Sequence, residues 1–165
     1  MSRELGVVMG ELETANRGAV WAAAAHPHPD QVWREWAHEL EVALLPAGRR
    51  WDVVSMPYWR LHAVWADMGP LAWAHTPVLA DLTTGRTYVF TPAGTAGEWD
   101  EPETTALGKG SWLAASKPGG RQLRIGHWVQ PPGAITVLMD AAGLRGALRR
   151  TAASDSDQAG RSACQ

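Results

Sequence analysis

The stretch WDVVSMP, residues 51 to 57, constrains the fold more than any other part of the chain. Trp51, Val53, Val54 and Met56 form a short apolar run fenced by Gly48 before it and Pro57 after it. A run this short between turn residues reads as a buried strand rather than a helix. Proline cannot donate to a sheet ladder but suits the first position of a helix, so Pro57 both closes the strand and opens the next element. Tyr58, Leu61, Trp65 and Met68 then keep helical spacing until Gly69-Pro70 stops it.

The same punctuation organises the rest of the chain. RGAVWAAAAHPHPD reads as a short Ala-rich helix ended by Pro27 and Pro29, and Asp30 can cap a second helix. In that helix Trp33, Trp36, Ala37, Leu40 and Leu44 make one apolar stripe, which predicts helix up to Pro46. TPVLADL and RTYVF flank TTG and predict a hairpin with Gly85 in its turn. Residues 91–109 read as loop, SWLAAS and QLRIGHWV as two further strands, and Asp140 as the cap of a last helix carrying Leu144 and Leu148. This order predicts an α+β domain: a small mixed or antiparallel sheet with helices packed on it. Residues 1–17 are expected to be weakly ordered, 18–150 to form the domain, and 151–165 to be a disordered tail.

Composition narrows the functional classes. The 165 residues include ten Trp but only two Tyr and one Phe, so stacking chemistry depends on where the tryptophans lie. About three in four of them fall on apolar faces and are expected in the core; of the others, Trp99, in the acidic stretch GEWDEPE, is the first candidate for the surface. A net charge of −2 gives no global attraction to nucleic acid, so such binding needs a local basic patch. Cys164 is the single cysteine, which excludes a disulfide framework or a cysteine zinc site within one chain. No apolar run approaches a membrane span, and the N-terminal stretch carries acids through its apolar portion, so a cytoplasmic protein without membrane attachment is expected.

Motifs of chemistry are sparse. There is no phosphate-binding glycine loop, and no cofactor is expected. HPHPD places His26 and His28 two apart near Asp30; extended geometry would put both rings on one face, but a linker between two helices explains the prolines as well. His38, His62, His75 and His127 have no regular partner spacing. Asp52, Asp67 and Asp81 are the acids nearest strand or helix ends, and none pairs as a two-metal site requires. Arg49 and Arg50 before the first strand, Arg86 in the hairpin and Lys117 in KPGG are the candidate nucleic-acid or nucleotide contacts. Solvated turns account for the same residues, as they do for Arg121 and Arg124, and helix-end dipoles account for Arg149 and Arg150.

The succession LLPAGRRWDVVSMP, GPLAWAHTPVLADLTTGRTYVF, GKGSWLAASKP and IGHWVQPPG is similar to the amino-terminal domain of bifunctional DNA primase/polymerases, the archaeo-eukaryotic primase-like group. It most resembles short, degenerate standalone relatives, over roughly residues 18–150. The resemblance implies a primase/polymerase-like scaffold and a role related to DNA replication. In that family the strand corresponding to WDVVSMP ends in a D-x-D pair that binds catalytic metals; here Ser55 and Pro57 stand at those places. A family histidine before the aromatic strand end corresponds to Thr87. What the resemblance implies is therefore a catalytically inactive module, without metal site or catalytic residues, that binds nucleotide or single-stranded DNA. Two other readings stay open: a protein-interaction module with Trp99 as an anchor, and an enzyme of another type using the scattered histidines.

Overall fold

The computed structural model describes the backbone of residues 2–162 and the side chains of residues 10–154, which leaves Cys164 outside the described residues. Two helices, α1 (Ser2–Ala23) and α2 (Pro29–Trp36), precede strands β1 (Val42–Pro46) and β2 (Trp51–Pro57). Helices α3 (Tyr58–Met68) and α4 (Pro70–Trp73) lead into the hairpin β3 (Val78–Asp81) and β4 (Arg86–Pro92). A 3-10 turn (Thr95–Glu98), β5 (Thr105–Leu107), β6 (Trp112–Ser116), β7 (His127–Gln130) and α5 (Ala141–Ser162) complete the chain.

The strands form a five-stranded sheet, β5-β2-β4-β3-β7, and a two-stranded sheet, β1-β6. Every pairing is antiparallel, so the expected α+β class holds, in its antiparallel form. Side chains alternate across the large sheet and make two cores. Trp51, Val53, Leu79, Phe90 and Trp128 face the first core, shared with Ala19, Ala22 and Ala23 of α1, Val32 and Trp36 of α2, and the inward residues of β1-β6. Val54, Met56, Val78 and Val89 face the second, with Leu61 and Val64 of α3, Trp73 of α4 and Leu144, Ala147 and Leu148 of α5. Strand β2 is covered on both faces and flanked by β4 and β5, which explains why its sequence is apolar throughout rather than alternating.

Two expectations are corrected. The second helix does not reach Leu44. It ends at Trp36, Glu41 takes a left-handed φ of 54°, and Val42 begins a strand. The stripe was ambiguous because VALLP also fits period two: Ala43 and Leu45 are buried, whereas Leu40 and Leu44 are 77% and 51% exposed. Pairing with β6 decides the matter, since a strand gains ladder bonds there that a helix could not. Residues 105–107, expected as loop, are recruited as β5 onto the edge of β2. At the ends, the described backbone is helical over Ser2–Ala23 and Ala141–Ser162.

Candidate functional site

The surroundings of the β1–β2 turn are built by close backbone approach. Gly48 has φ 87°, and a Cβ there would overlap the backbone of Lys109. Only glycine lets the β1–β2 turn lie directly against the loop between β5 and β6. The Ala47 N–H donates to the Ser111 carbonyl at 2.9 Å, and Pro46 pairs with Trp112 at the ladder's end. Arg49 and Arg50 on one loop and Lys109 on the other are thereby brought to the same end of the molecule, all three exposed.

Trp112 stands at this end. It opens β6 on the outward phase of the strand and is 52% exposed. His26, between α1 and α2, lies beside it with ring centroids 5.8 Å apart and interplanar angle 52°. The Arg49 guanidinium reaches the Ala25 carbonyl at 3.5 Å, which ties the basic turn to the same linker. The HPHPD segment is a tight turn rather than an extended ligand pair. The His28 N–H donates to His26 Nδ1 at 2.9 Å, so that ring nitrogen already serves the backbone. Asp52, two residues after Arg50, does not neutralise the basic pair at the surface. It is 1% exposed, and its Oδ2 accepts N–H bonds from Gly94 and Ala96, each at 2.9 Å. The resulting surface joins an exposed indole to three cations and exposed His28, on a chain whose net charge is −2.

The other two candidate cations lie elsewhere. Arg86 is turned onto the sheet, where its Nε and Nη2 donate to Ser55 Oγ at 3.1 and 2.9 Å. Lys117 Nζ sits 4.9 Å from the ring centre of Trp33, a cation–π contact near the far end of β6. Of the four sequence candidates, the structure brings together Arg49 and Arg50 and separates Arg86 and Lys117. Trp112 and Lys109 were missed, because nothing local marks them; their signal is the β1-β6 pairing, and His26, noted in HPHPD as a possible ligand, stands beside Trp112 instead.

The strand end that carries acids in the resembled family has a different character here. Ser55 and Thr87 fall on opposite faces of the sheet, since Ser55 pairs directly with Tyr88 and Thr87 with Met56. The Thr87 hydroxyl is fully buried and donates to the Met56 carbonyl at 3.0 Å. Ser55 shares its face with Tyr88, whose hydroxyl is pushed above its ordinary pKa by burial first and by the nearby Asp81 charge second. Asp81 itself is held below the usual aspartate value chiefly by the Thr83 hydroxyl, in the turn that shapes the hairpin. Among the described residues, no group of three or more His, Cys, Asp or Glu side chains lies together. No described helix is long and apolar enough to cross a membrane.

Trp99 is also corrected. It is partly buried against the second core, its Nε1 donates to Thr104 at 2.8 Å, and Arg145 lies over its ring at 5.2 Å. It is a packing residue and not a free anchor. Neither family models, curated proteins nor solved structures show a match to this chain.

Proposed function

We propose that the protein is a binding module for single-stranded nucleic acid, built on a primase/polymerase-like scaffold whose metal-binding strand has lost its acids. The observation that carries the reading is Trp112, half exposed at a sheet end beside His26, with Arg49, Arg50 and Lys109 exposed on the loops at the same end. Aromatic faces that stack bases and cations that track phosphates are the two components of sequence-tolerant single-strand binding. Duplex readout would need an element shaped for a groove, and this end of the molecule offers loops and one indole instead. Binding rather than polymerisation is favoured by the residues at the end of β2: Ser55 Oγ is engaged by Arg86, and Pro57 carries no ligating side chain.

The test is fluorescence polarisation with labelled poly-dT of about a dozen nucleotides, within the usual site size of such modules. Trp112→Ala is expected to weaken binding roughly 5- to 150-fold, the loss of about 1–3 kcal/mol for one stacked base. Arg49→Ala, Arg50→Ala and Lys109→Ala are each expected to flatten the log-affinity against log-salt slope by about 0.7, one phosphate contact on a single strand. Lys117→Ala, remote from the patch, is expected to change neither. Unchanged affinity in Trp112→Ala, or no binding at low salt, defeats the proposal. Primer extension with Mg²⁺ or Mn²⁺ is expected to give no template-dependent product; product abolished by Asp52→Ala would overturn the non-catalytic part.

A further inference from the structure

Far from the basic end, a second concavity opens where β2 runs out. Tyr58, Leu61, His62, Trp65 and Ala66 of α3 and Val129 of β7 line a cleft of about 250 Å³. We propose that this cleft is a binding site for a small neutral aromatic ring system of one or two fused rings. This proposal is independent of the nucleic-acid reading, because Trp51 and Tyr58 lie at opposite ends of β2.

The size fits the class. Apolar cavities of ~150 Å³ in proteins take up a single benzene ring, so this cleft has room for one ring or two fused rings. The lining fits it too. Trp65 is backed by Trp73 in a parallel stack, centroids 4.6 Å apart and planes 5° from coplanar, and a ligand ring entering the cleft extends that stack. Leu61 and Val129 supply aliphatic walls. Tyr58 and His62, edge to face at 5.0 Å, form the polar rim and give the ligand one hydrogen-bonding edge. No lining residue carries a permanent charge, which sets this cleft apart from the Arg49–Arg50–Lys109 surface and excludes an anionic headgroup as the recognised feature.

The test uses indole as the probe and reads the methyl signals of Leu61 and Val129 in ¹³C-labelled protein. A saturable shift of both signals is expected. Ala66 is exposed on α3, so Ala66→Phe places a ring in the cleft without disturbing a core and is expected to abolish the shift. Ala66→Leu is the second plug, should the first alter the fold. Trp112→Ala is expected to leave indole binding intact, which separates stacking in this cleft from stacking on the exposed indole at the other end. Cyclohexanol, similar in bulk but not flat, is expected to bind several-fold more weakly. No saturable shift up to the solubility of indole, a shift retained in both Ala66 variants, or cyclohexanol binding as tightly as indole overturns the proposal.

Discussion

Replacing Trp51 by alanine measures directly whether the start of β2 is scaffold or surface. Trp51 is 1% exposed. Its ring meets Phe90 at 4.6 Å with planes at 65°, and Trp21 at 6.5 Å with planes at 21°. Burying an aromatic side chain of ~150–250 Å² at ~25 cal/mol/Å² contributes about 4–6 kcal/mol. The two ring contacts add to this. Against it stands the buried Nε1–H, which has no acceptor and costs about 1–3 kcal/mol in lost solvation. Alanine also retains part of the burial, so the net expected loss is about 3–5 kcal/mol, in line with large-to-small aromatic replacements in other cores. Trp51→Phe provides the internal control. It keeps a ring against Phe90 and removes the orphan donor, so its cost should stay below about 1.5 kcal/mol. Urea unfolding gives both values, read from midpoints with the slope unchanged. If Trp51→Ala leaves too little folded protein, Trp51→Leu is expected to fall between the other two. An alanine variant within 1 kcal/mol of the parent, or a phenylalanine variant as costly as alanine, refutes the packing argument.

Other variants probe the remaining elements. Trp99→Ala is expected to destabilise by about 1–3 kcal/mol rather than to be neutral, because it removes a packed ring of the second core, its hydrogen bond to Thr104 and its cation–π contact with Arg145; a urea midpoint equal to the parent's contradicts this. Asp67 is held below the usual aspartate pKa mainly by its hydrogen bond from Arg150, at 2.7 Å. A carboxylate lowered in the folded state adds stability that is present above its unfolded pKa and lost as pH falls through the folded one. Arg150→Ala should therefore raise the Asp67 titration seen by carboxyl ¹³C NMR toward the ordinary value, with a stability deficit at neutral pH that closes in acid. A chain ending at Arg150 keeps the buried α5 residues Leu144, Ala147 and Leu148 and both Arg149 and Arg150, so its melting midpoint should lie within about two degrees of the full chain's.

What was legible in the sequence is what local chemistry decides. The hairpin could be read because TTG sits between two apolar runs. Gly85 takes φ 71° there, and its N–H closes the turn onto the Asp81 carbonyl at 2.9 Å. The β2–α3 junction could be read because Pro57 can end one element and begin the other. What stayed hidden is what distant pairing decides. VALLP supports a helical stripe and a strand alike until β6 is placed beside it. TAL has no apolar run of its own and becomes a strand only because β2 offers an unpaired edge. The site divides in the same way. Arg49 and Arg50 announce themselves as a basic pair, but Lys109 and Trp112 join them only through the Gly48 approach and the β1-β6 ladder. Trp99 misled for the opposite reason: its acidic neighbours suggested solvent, whereas Arg145 comes from α5 to cover it.

The two ends of β2 also make different demands on sequence. Its exit is enclosed: Met56 is fully buried, Ser55 is 4% exposed with Arg86 donating to it, and Thr87 is sealed against the Met56 carbonyl. A carboxylate at position 55 would meet the Arg86 guanidinium at hydrogen-bonding distance and become half of an ion pair before it could serve a metal. A metal site at this strand end would therefore require a change at Arg86 as well as at Ser55 and Pro57, so the three positions constrain one another. The entrance is unconstrained in this sense. Arg49, Arg50, Lys109 and Trp112 are solvent-facing and contribute little to either core, so they can be set by what they bind. The residues at the strand end can change without loss of the fold, because both cores are built from residues on the faces of the sheet, and the proposed binding surface is built from loops that those faces hold in place.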